Sequence, residues 1–180
     1  MSDAAPDGTL SADDIRGALE DLATRLKDAG VSAGIRIVGG AALAIGYYDR
    51  PATRDVDALL YPPDEVKAHA REVGRLRGWP DDWLNDKVKM YMSNYEQATD
   101  WKVVADADGV TISVASAEQL LAMKLRSGRG RRDGEDIEVL LEICEVRSVA
   151  HAETIFERFF PEEEIKPRAR TQVEDFFSAS

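Results

Sequence analysis

The sequence is poor in the residues that build disulfide-stapled or histidine-bound metal domains. It contains one cysteine, Cys144, which excludes an internal disulfide, and two histidines, His69 and His151, which are too few for a histidine-rich metal site. No apolar run approaches the roughly 20 residues that a membrane-spanning helix needs. The acidic N-terminus lacks the basic flank and apolar stretch of a signal peptide. We therefore expect a cytoplasmic protein with no membrane partner.

The sequence also lacks the excess of basic residues that general nucleic-acid binders carry. Its 23 lysines and arginines stand against 34 acidic residues, for a formal net charge of −11. The acidic excess falls in residues 1–30 and 133–180, whereas residues 31–132 are nearly balanced. Because phosphate contacts require clustered cations, broad nucleic-acid binding is disfavoured. A local run of five cations is either a solvated helix end or a phosphate-binding edge: Lys124, Arg126, Arg129, Arg131 and Arg132.

Length and apolar content predict one folded domain. The 180 residues, 44% of them apolar, are enough for a substantial core. Hydrophobic periodicity predicts the order αβαβα, a linker with a short helix over DDWLNDKVKMYM, a β-hairpin and then helices. We expect an α+β protein with a disordered N-terminus (1–9), a core (10–115) and a helical C-terminal region packed on that core (116–180).

A glycine pair and two aspartates form the densest cluster of chemistry-bearing residues. Gly39 and Gly40 follow a predicted strand and open a helix, so their backbone amides can bind an anion. Asp55 and Asp57 share one face of the next strand, and two such carboxylates can chelate a divalent ion such as Mg²⁺. A tight turn or a solvated strand edge explains each feature separately, but the joint spacing is specific. An anion site beside a metal-binding acid pair is what nucleotidyl transfer requires.

The stretch VGGAALAIGYYDRPATRDVDALL resembles the first motif of the DNA polymerase β-like nucleotidyltransferase superfamily. Its R-x-x-T-x-D-x-D form, with Arg50, Thr53, Asp55 and Asp57, is similar to a bacterial branch. That branch includes the abortive-infection toxins of type IV toxin–antitoxin systems and related mycobacterial toxins. LLAMKLRSGRGRRDGEDIEVLLE resembles their lysine helix and R-D-x-x-D-I motif, and WLNDKVKMYM is similar to uncharacterised nucleotidyltransferases. The matches cover roughly residues 35–145.

The resemblance implies a minimal nucleotidyltransferase fold, with a mixed β-sheet flanked by helices, and an NTP as substrate. By this comparison five residues bind the nucleotide: Gly39, Gly40, Arg50, Thr53 and Lys124. The two glycines and Lys124 would contact its phosphates. Asp55 and Asp57 would hold Mg²⁺ or Mn²⁺. The implied catalytic set is Asp55, Asp57, Lys124 and Asp136.

The lysine and the later acids also have structural explanations. Lys124 lies on an otherwise apolar helix side, where it either meets an anion or extends to the surface. Asp133 lies one turn before Asp136, so it can face the same site or cap the helix N-terminus. We therefore assign Asp136 to the active site and keep Asp133 as the second choice.

One position departs from the superfamily pattern. A third acid often stands on a later strand, and the matching slot in VTISV holds Ser113. Asp106 and Asp108 fall in a predicted hairpin turn, where a role in the turn is favoured over metal binding. Either Asp136 replaces the third acid or the metal site is incomplete.

The resemblance implies a metal-dependent enzyme that moves a nucleoside monophosphate from an NTP to an acceptor hydroxyl. The implied acceptor is the 3′ end of tRNA, bound through the basic stretch 124–132, and the implied role is that of a toxin with a cognate antitoxin protein. The alternatives are a protein acceptor, a small-molecule acceptor such as an aminoglycoside, or a non-catalytic nucleotide-binding partner protein. Cys144 lies on an apolar helix face, which favours a core thiol over a nucleophile.

Overall fold

Contacts between residues divide the chain into two compact units. The first comprises residues 1–91 and 101–115, and the second comprises residues 92–100 and 116–180. The computed structural model describes residues 8–51, 53–129 and 131–179, without the side chains of residues 131 and 132. Residues 1–7, most of the segment expected to be disordered, lie outside the described residues.

The described part of the first unit contains three helices and a five-stranded mixed sheet. Its elements are α1 (Ala12–Asp28), β1 (Ala33–Ile37), α2 (Gly39–Gly46), β2 (Val56–Tyr61), α3 (Pro63–Arg77), β3 (Leu84–Asn85), a 3₁₀ turn (Lys87–Tyr91), β4 (Trp101–Ala107) and β5 (Val110–Ala115). The strand order is β3-β2-β1-β5-β4. β1 is parallel to β5 and antiparallel to β2, β2 is parallel to β3, and β4 is antiparallel to β5. The predicted α+β class with a mixed sheet is confirmed.

Local sequence signals explain where these elements begin and which faces they bury. Ser11 and Asp14 form a reciprocal capping box that starts α1. The helix then buries one apolar side: Ile15, Ala18, Leu19, Leu22 and Leu26. In β1, Ile35 and Ile37 are fully buried and alternate with partly exposed residues, as a strand with a single core face requires. Only Val38 separates the end of β1 from the start of α2.

The prediction of a short helix over residues 81–92 is only partly confirmed. Lys87–Tyr91 form a 3₁₀ helical turn, whereas Leu84–Asn85 form β3. The Trp83 carbonyl accepts a hydrogen bond from the Val56 amide, and β3 pairs with β2. The indole nitrogen of the buried Trp83 donates to the Ala70 carbonyl at 2.8 Å. These tertiary contacts outweigh the local helix propensity of the segment.

The predicted hairpin is confirmed. Asp108 and Gly109 connect β4 to β5, with φ values of +54° and +81°, as a two-residue primed turn requires. Thr111 donates its hydroxyl hydrogen bond to Asp106, and Lys27 pairs with Asp108 at 2.8 Å. Both acids therefore serve the hairpin and its surroundings, in agreement with the turn interpretation.

The second unit is helical. Its described helices are α4 (Ala117–Ser127), α5 (Arg131–Ile143), α6 (Val149–Phe159) and α7 (Pro167–Ser178). Leu121 of α4, Leu140 of α5, Phe156 of α6 and Val173 of α7 are all buried. α7 begins at Pro167, because proline suits the first turn of a helix. No described helix of the chain combines the length and hydropathy needed to cross a membrane.

Candidate functional site

The start of α2 lies beside one of the two predicted metal-binding acids. Gly39, the first residue of α2, has a left-handed φ of +65°, and a Cβ added there would lie 3.8 Å from Oδ2 of Asp57. Val38, at the N-cap, supplies no side-chain hydrogen bond to the first turn. The first amides of α2 thus lack a cap from this residue and lie at the positive end of the helix dipole. This end of α2 can bind an anion.

Arg50 and Thr53 lie directly over the second glycine. A Cβ added to Gly40 would come within 2.9 Å of Nη1 of Arg50 and within 3.2 Å of the Thr53 hydroxyl oxygen. Thr53 is buried, and its backbone exchanges two hydrogen bonds with Leu10. The absence of a side chain at Gly40 is therefore what lets a guanidinium and a hydroxyl reach the N-terminus of α2.

The two predicted metal-binding acids stand at the start of β2. Asp57 is the second residue of this strand, and Asp55 precedes it by two, so both carboxylates belong to one face. The Asp55 carbonyl accepts a hydrogen bond from the Thr53 hydroxyl at 3.4 Å. The structure therefore brings Asp57 to Gly39, and Arg50 and Thr53 to Gly40, around one helix start.

Asn85 and Lys87 are neighbours of this acid pair that sequence reasoning missed. Asn85 is buried, stands opposite Asp57 in the β2–β3 register, and its amide nitrogen lies 3.5 Å from Oδ2 of Asp55. Its side-chain oxygen accepts a hydrogen bond from the Lys87 amide at 3.1 Å. The hydrogen bond and charge of Asp82 raise the pKa of Lys87, and the charges of Asp55 and Asp57 contribute in the same direction. The WLNDK motif was the available signal, but the helix predicted across it left no strand at Asn85.

Asp55 and Asp57 offer a metal ion two carboxylates. Within the described ranges, no group of three or more His, Cys, Asp or Glu side chains is arranged to hold one. Mg²⁺ is often held by one or two carboxylates, with water and substrate phosphates completing its coordination. The hard oxygen donors of this pair therefore fit a Mg²⁺ ion that binds together with a phosphate ligand.

Ser113 occupies the position where the resemblance led us to expect a third acid. It is buried in β5, between Arg36 of β1 and Val103 of β4 in the strand register. The Arg36 guanidinium lies 5.2 Å from the centroid of the Trp101 ring. A cation and a hydroxyl thus stand at the part of the sheet where the resemblance predicted a carboxylate.

A second cluster, within the helical unit, is centred on Lys124. Its ammonium lies 2.7 Å from Oδ1 of Asp133 and 2.8 Å from Oδ2 of Asp136, with all three side chains largely buried. Asp133 also accepts hydrogen bonds from the Ser127 hydroxyl at 2.7 Å and the Arg129 amide at 3.1 Å. Lys124 therefore meets anions inside the protein rather than extending to the surface.

The electrostatics of this cluster favour the charged form of Asp133. Burial raises the pKa of Asp133, but the hydrogen bond and charge of Lys124 lower it. The hydrogen bonds from Ser127 and Arg129 act in the same direction, and the result is a pKa below the usual value. With two carboxylates and one ammonium, the cluster carries one net negative charge when all three groups are ionised.

The predicted basic stretch 124–132 is partly neutralised inside the helical unit. Lys124 is held by its two aspartates, and Arg126 pairs with Glu163 at 2.8 Å and lies over the Phe160 ring. Arg129 is exposed, and the side chains of residues 131 and 132 lie outside the described part. At least two of its five cations therefore have acidic partners of their own.

A shallow cavity of about 470 Å³ borders the first cluster. Tyr47, Tyr48 and Arg50 line it, together with the beginning of α1. Arg50 is thus shared between this cavity and the Gly40 cluster, whereas neither Asp55 nor Asp57 reaches the cavity wall.

One of the comparisons with known proteins finds a match. The model of a family described as a nucleotidyltransferase of unknown function (DUF6036) matches residues 17–176. No curated protein and no solved structure is significantly similar to the chain. The matched range contains every residue of the α2 cluster and of the Lys124 cluster.

Proposed function

The chain belongs to this nucleotidyltransferase family, and on that premise we propose that it moves a nucleoside monophosphate from an NTP to an acceptor hydroxyl with the help of Mg²⁺. The single observation that carries the proposal is the meeting of Arg50, Thr53 and Asp57 at the Gly39-Gly40 start of α2. A helix end that can bind an anion and a carboxylate that can hold a metal ion lie there side by side.

The phosphate side of the proposed site consists of the first amides of α2, Arg50 and Thr53. A guanidinium binds phosphate oxygens through two parallel hydrogen bonds, and a nearby hydroxyl adds a third. The glycines keep this surface free of side chains, so phosphate oxygens can reach the backbone. These groups would fix the triphosphate before reaction.

The metal side consists of Asp55 and Asp57, which would hold Mg²⁺ (or Mn²⁺) with water and triphosphate oxygens completing its coordination. The bound ion would supply stabilisation of the negative charge on the triphosphate. Asn85 holds one side of Asp55 through its amide nitrogen. In the proposed reaction the acceptor oxygen bonds to the α-phosphorus, the bond from that phosphorus to pyrophosphate breaks, and the hydroxyl proton is released.

Lys124 is proposed as a further contact for the triphosphate, and Asp136 as the further acid. The two aspartates that hold Lys124 fix the direction of its ammonium. Asp133, which the sequence analysis ranks after Asp136, contacts Lys124 as closely as Asp136 does. We therefore propose Asp133 as a positioning residue for Lys124.

The acceptor is proposed to be RNA, with the 3′ end of tRNA as the specific candidate and a toxin paired with a protein antitoxin as the biological role. The support is the resemblance of R-x-x-T-x-D-x-D, with Arg50, Thr53, Asp55 and Asp57, to the toxin branch. Ser113 at the third-acid position favours a second candidate, a nucleotide-binding protein without catalysis.

Label transfer distinguishes these functions. The protein is incubated with Mg²⁺, total bacterial RNA and each α-labelled NTP in turn. Asp57→Asn is the test variant, and Asp106→Asn, which removes the same charge in the β4–β5 hairpin, is the matched control. We expect a labelled tRNA-sized band that Asp106→Asn retains and that Asp57→Asn weakens at least ~100-fold, because charge stabilisation at the reacting phosphate is lost.

Each other outcome is informative. Label on polypeptide would move the acceptor to protein. No label with any NTP, despite metal-dependent NTP binding, would favour the non-catalytic candidate or a small-molecule acceptor. Full activity of Asp57→Asn would refute the site assignment.

A further inference from the structure

The 3₁₀ turn after β3 exposes apolar side chains beside lysines. Met90 is 86% exposed and Tyr91 is 59% exposed, whereas Val88 anchors the turn in the core. Lys87 and Lys89 are exposed on the same short turn. Exposed large apolar residues next to cations are typical of a surface that another molecule covers.

This turn starts next to the carboxylate pair. β3 lies parallel to β2 with Asn85 opposite Asp57, and the Lys87 amide donates to the Asn85 side chain. The charges of Asp55 and Asp57 both help to raise the pKa of Lys87, so its ammonium lies within their electrostatic range. A molecule on the turn would therefore have one end near the proposed reaction centre.

The two lysines of the turn are available to contact phosphates. Lys87 pairs with Asp82, but both side chains are about two-thirds exposed, and such ion pairs are weak. Among the described residues Lys89 forms no ion pair, and its charge only adds to the lowering of the pKa of Asp86, whose main partner is Lys67. By contrast, Lys124 and Arg126 of the stretch 124–132 are engaged by acids of their own unit.

We propose that Lys87–Tyr91 is the binding surface for the single-stranded end of the acceptor nucleic acid. A base stacks on Tyr91 and Met90, the adjacent phosphates contact Lys89 and Lys87, and the terminal hydroxyl extends toward Asp55 and Asp57. Stacking on exposed aromatics combined with lysine–phosphate contacts is how proteins hold single strands without reading sequence. The inference rests on the proposed function and adds the surface that its acceptor occupies.

Fluorescence anisotropy with the full chain and a labelled single-stranded oligoribonucleotide of mixed sequence tests this surface. Tyr91→Ala should weaken binding roughly 5- to 100-fold, as the loss of one stacked base does. Lys89→Glu should also weaken binding and should flatten the salt dependence, by about 0.7 in the slope of log K against log salt for each phosphate that the protein no longer neutralises.

Two matched variants control for general effects. Tyr61→Ala removes a tyrosine of similar exposure, 52%, at the far end of β2 from Asp57. Lys27→Glu makes the same charge change at an exposed lysine of α1. Both should bind the oligoribonucleotide within about twofold of the unmodified protein, since surface changes away from a binding site have small effects.

Binding of a fluorescent NTP analogue with Mg²⁺, measured on the same proteins, separates this proposal from the proposed function. Intact NTP binding with reduced RNA binding in Tyr91→Ala and Lys89→Glu supports the surface. Intact NTP binding with unchanged RNA binding in these variants overturns the surface but leaves the proposed function standing. No NTP binding by the unmodified protein refutes the proposed function itself. No affinity of the unmodified protein for RNA, despite NTP binding, overturns the surface and would reassign the turn to a protein partner.

Discussion

Gly40→Ala should weaken NTP binding while leaving the stability of the fold nearly unchanged. The added Cβ would lie 2.9 Å from Nη1 and 3.1 Å from Cζ of Arg50, and 3.2 Å from the Thr53 hydroxyl oxygen. The closest of these atoms ends a flexible side chain, so the guanidinium can move away at little cost. The φ of Gly40 is not left-handed, so alanine fits its backbone. The expected result is a folded protein whose Arg50 no longer reaches the N-terminus of α2.

The expected effect on NTP binding is larger than the expected effect on the free energy of unfolding. A charge-assisted hydrogen bond contributes about 1.5–3 kcal/mol. A loss of that size weakens NTP binding about 10- to 100-fold, because 1.4 kcal/mol corresponds to a factor of ten in Kd. Glycine to alanine in a helix stabilises by up to about 1 kcal/mol, which offsets the cost of moving Arg50. The free energy of unfolding should therefore change by less than about 1 kcal/mol in either direction.

The assays are titration with a fluorescent NTP analogue in the presence of Mg²⁺, and urea unfolding. Gly34→Ala in β1 is the matched control, because its added Cβ meets nothing closer than Tyr61 at 4.0 Å. Arg50→Ala should weaken binding as much as Gly40→Ala, and the double variant should lose little more, since both changes remove one interaction. Unchanged NTP affinity in Gly40→Ala would refute the placement of phosphate against Arg50 and α2.

Two further predictions concern the helical unit. Asp133→Asn should lower the free energy of unfolding by about 1–3 kcal/mol at neutral pH. The pKa of Asp133 is lower in the folded protein than in the unfolded chain. Its contribution to the free energy of unfolding is therefore complete above the unfolded pKa of about 3.9. That contribution is lost as the pH falls through the lower pKa of the folded state. Urea unfolding of both proteins across acidic pH checks this, and a difference that stays constant down to the lowest pH would contradict it. Burial raises the pKa of Cys144 to about 12, so little of the native thiol is ionised at mildly alkaline pH. Iodoacetamide reacts with the thiolate and should therefore modify the native protein roughly a thousandfold more slowly than the unfolded protein. Equal rates would contradict burial of this thiol.

The sequence predicts elements well where local signals and burial agree. The Ser11 capping box and the apolar side of α1 point to the same helix. The Asp108-Gly109 turn and the alternation of β5 likewise point to the same hairpin. In each case one short segment contains all the information, and no distant partner has to be known.

Contacts within the candidate site depend on the course of longer segments, which local patterns do not encode. The sequence identifies Gly40 and Arg50 as candidates, but not that the guanidinium lies against this glycine, because the chain between α2 and β2 has no periodicity to read. The spacing of Asp133 and Asp136 predicts a shared face. It does not predict that both carboxylates hold Lys124, since that contact joins two helices.

The segment where the sequence prediction was only partly correct also flanks the carboxylate pair. The predicted helix is absent over residues 81–86 because Trp83 and Asn85 are fixed by contacts to α3, β2 and Asp55. This leaves Met90 and Tyr91 on a short turn with their side chains exposed. The turn Lys87–Tyr91 begins beside Asp55 and Asp57, and this position favours it as the acceptor side of the site.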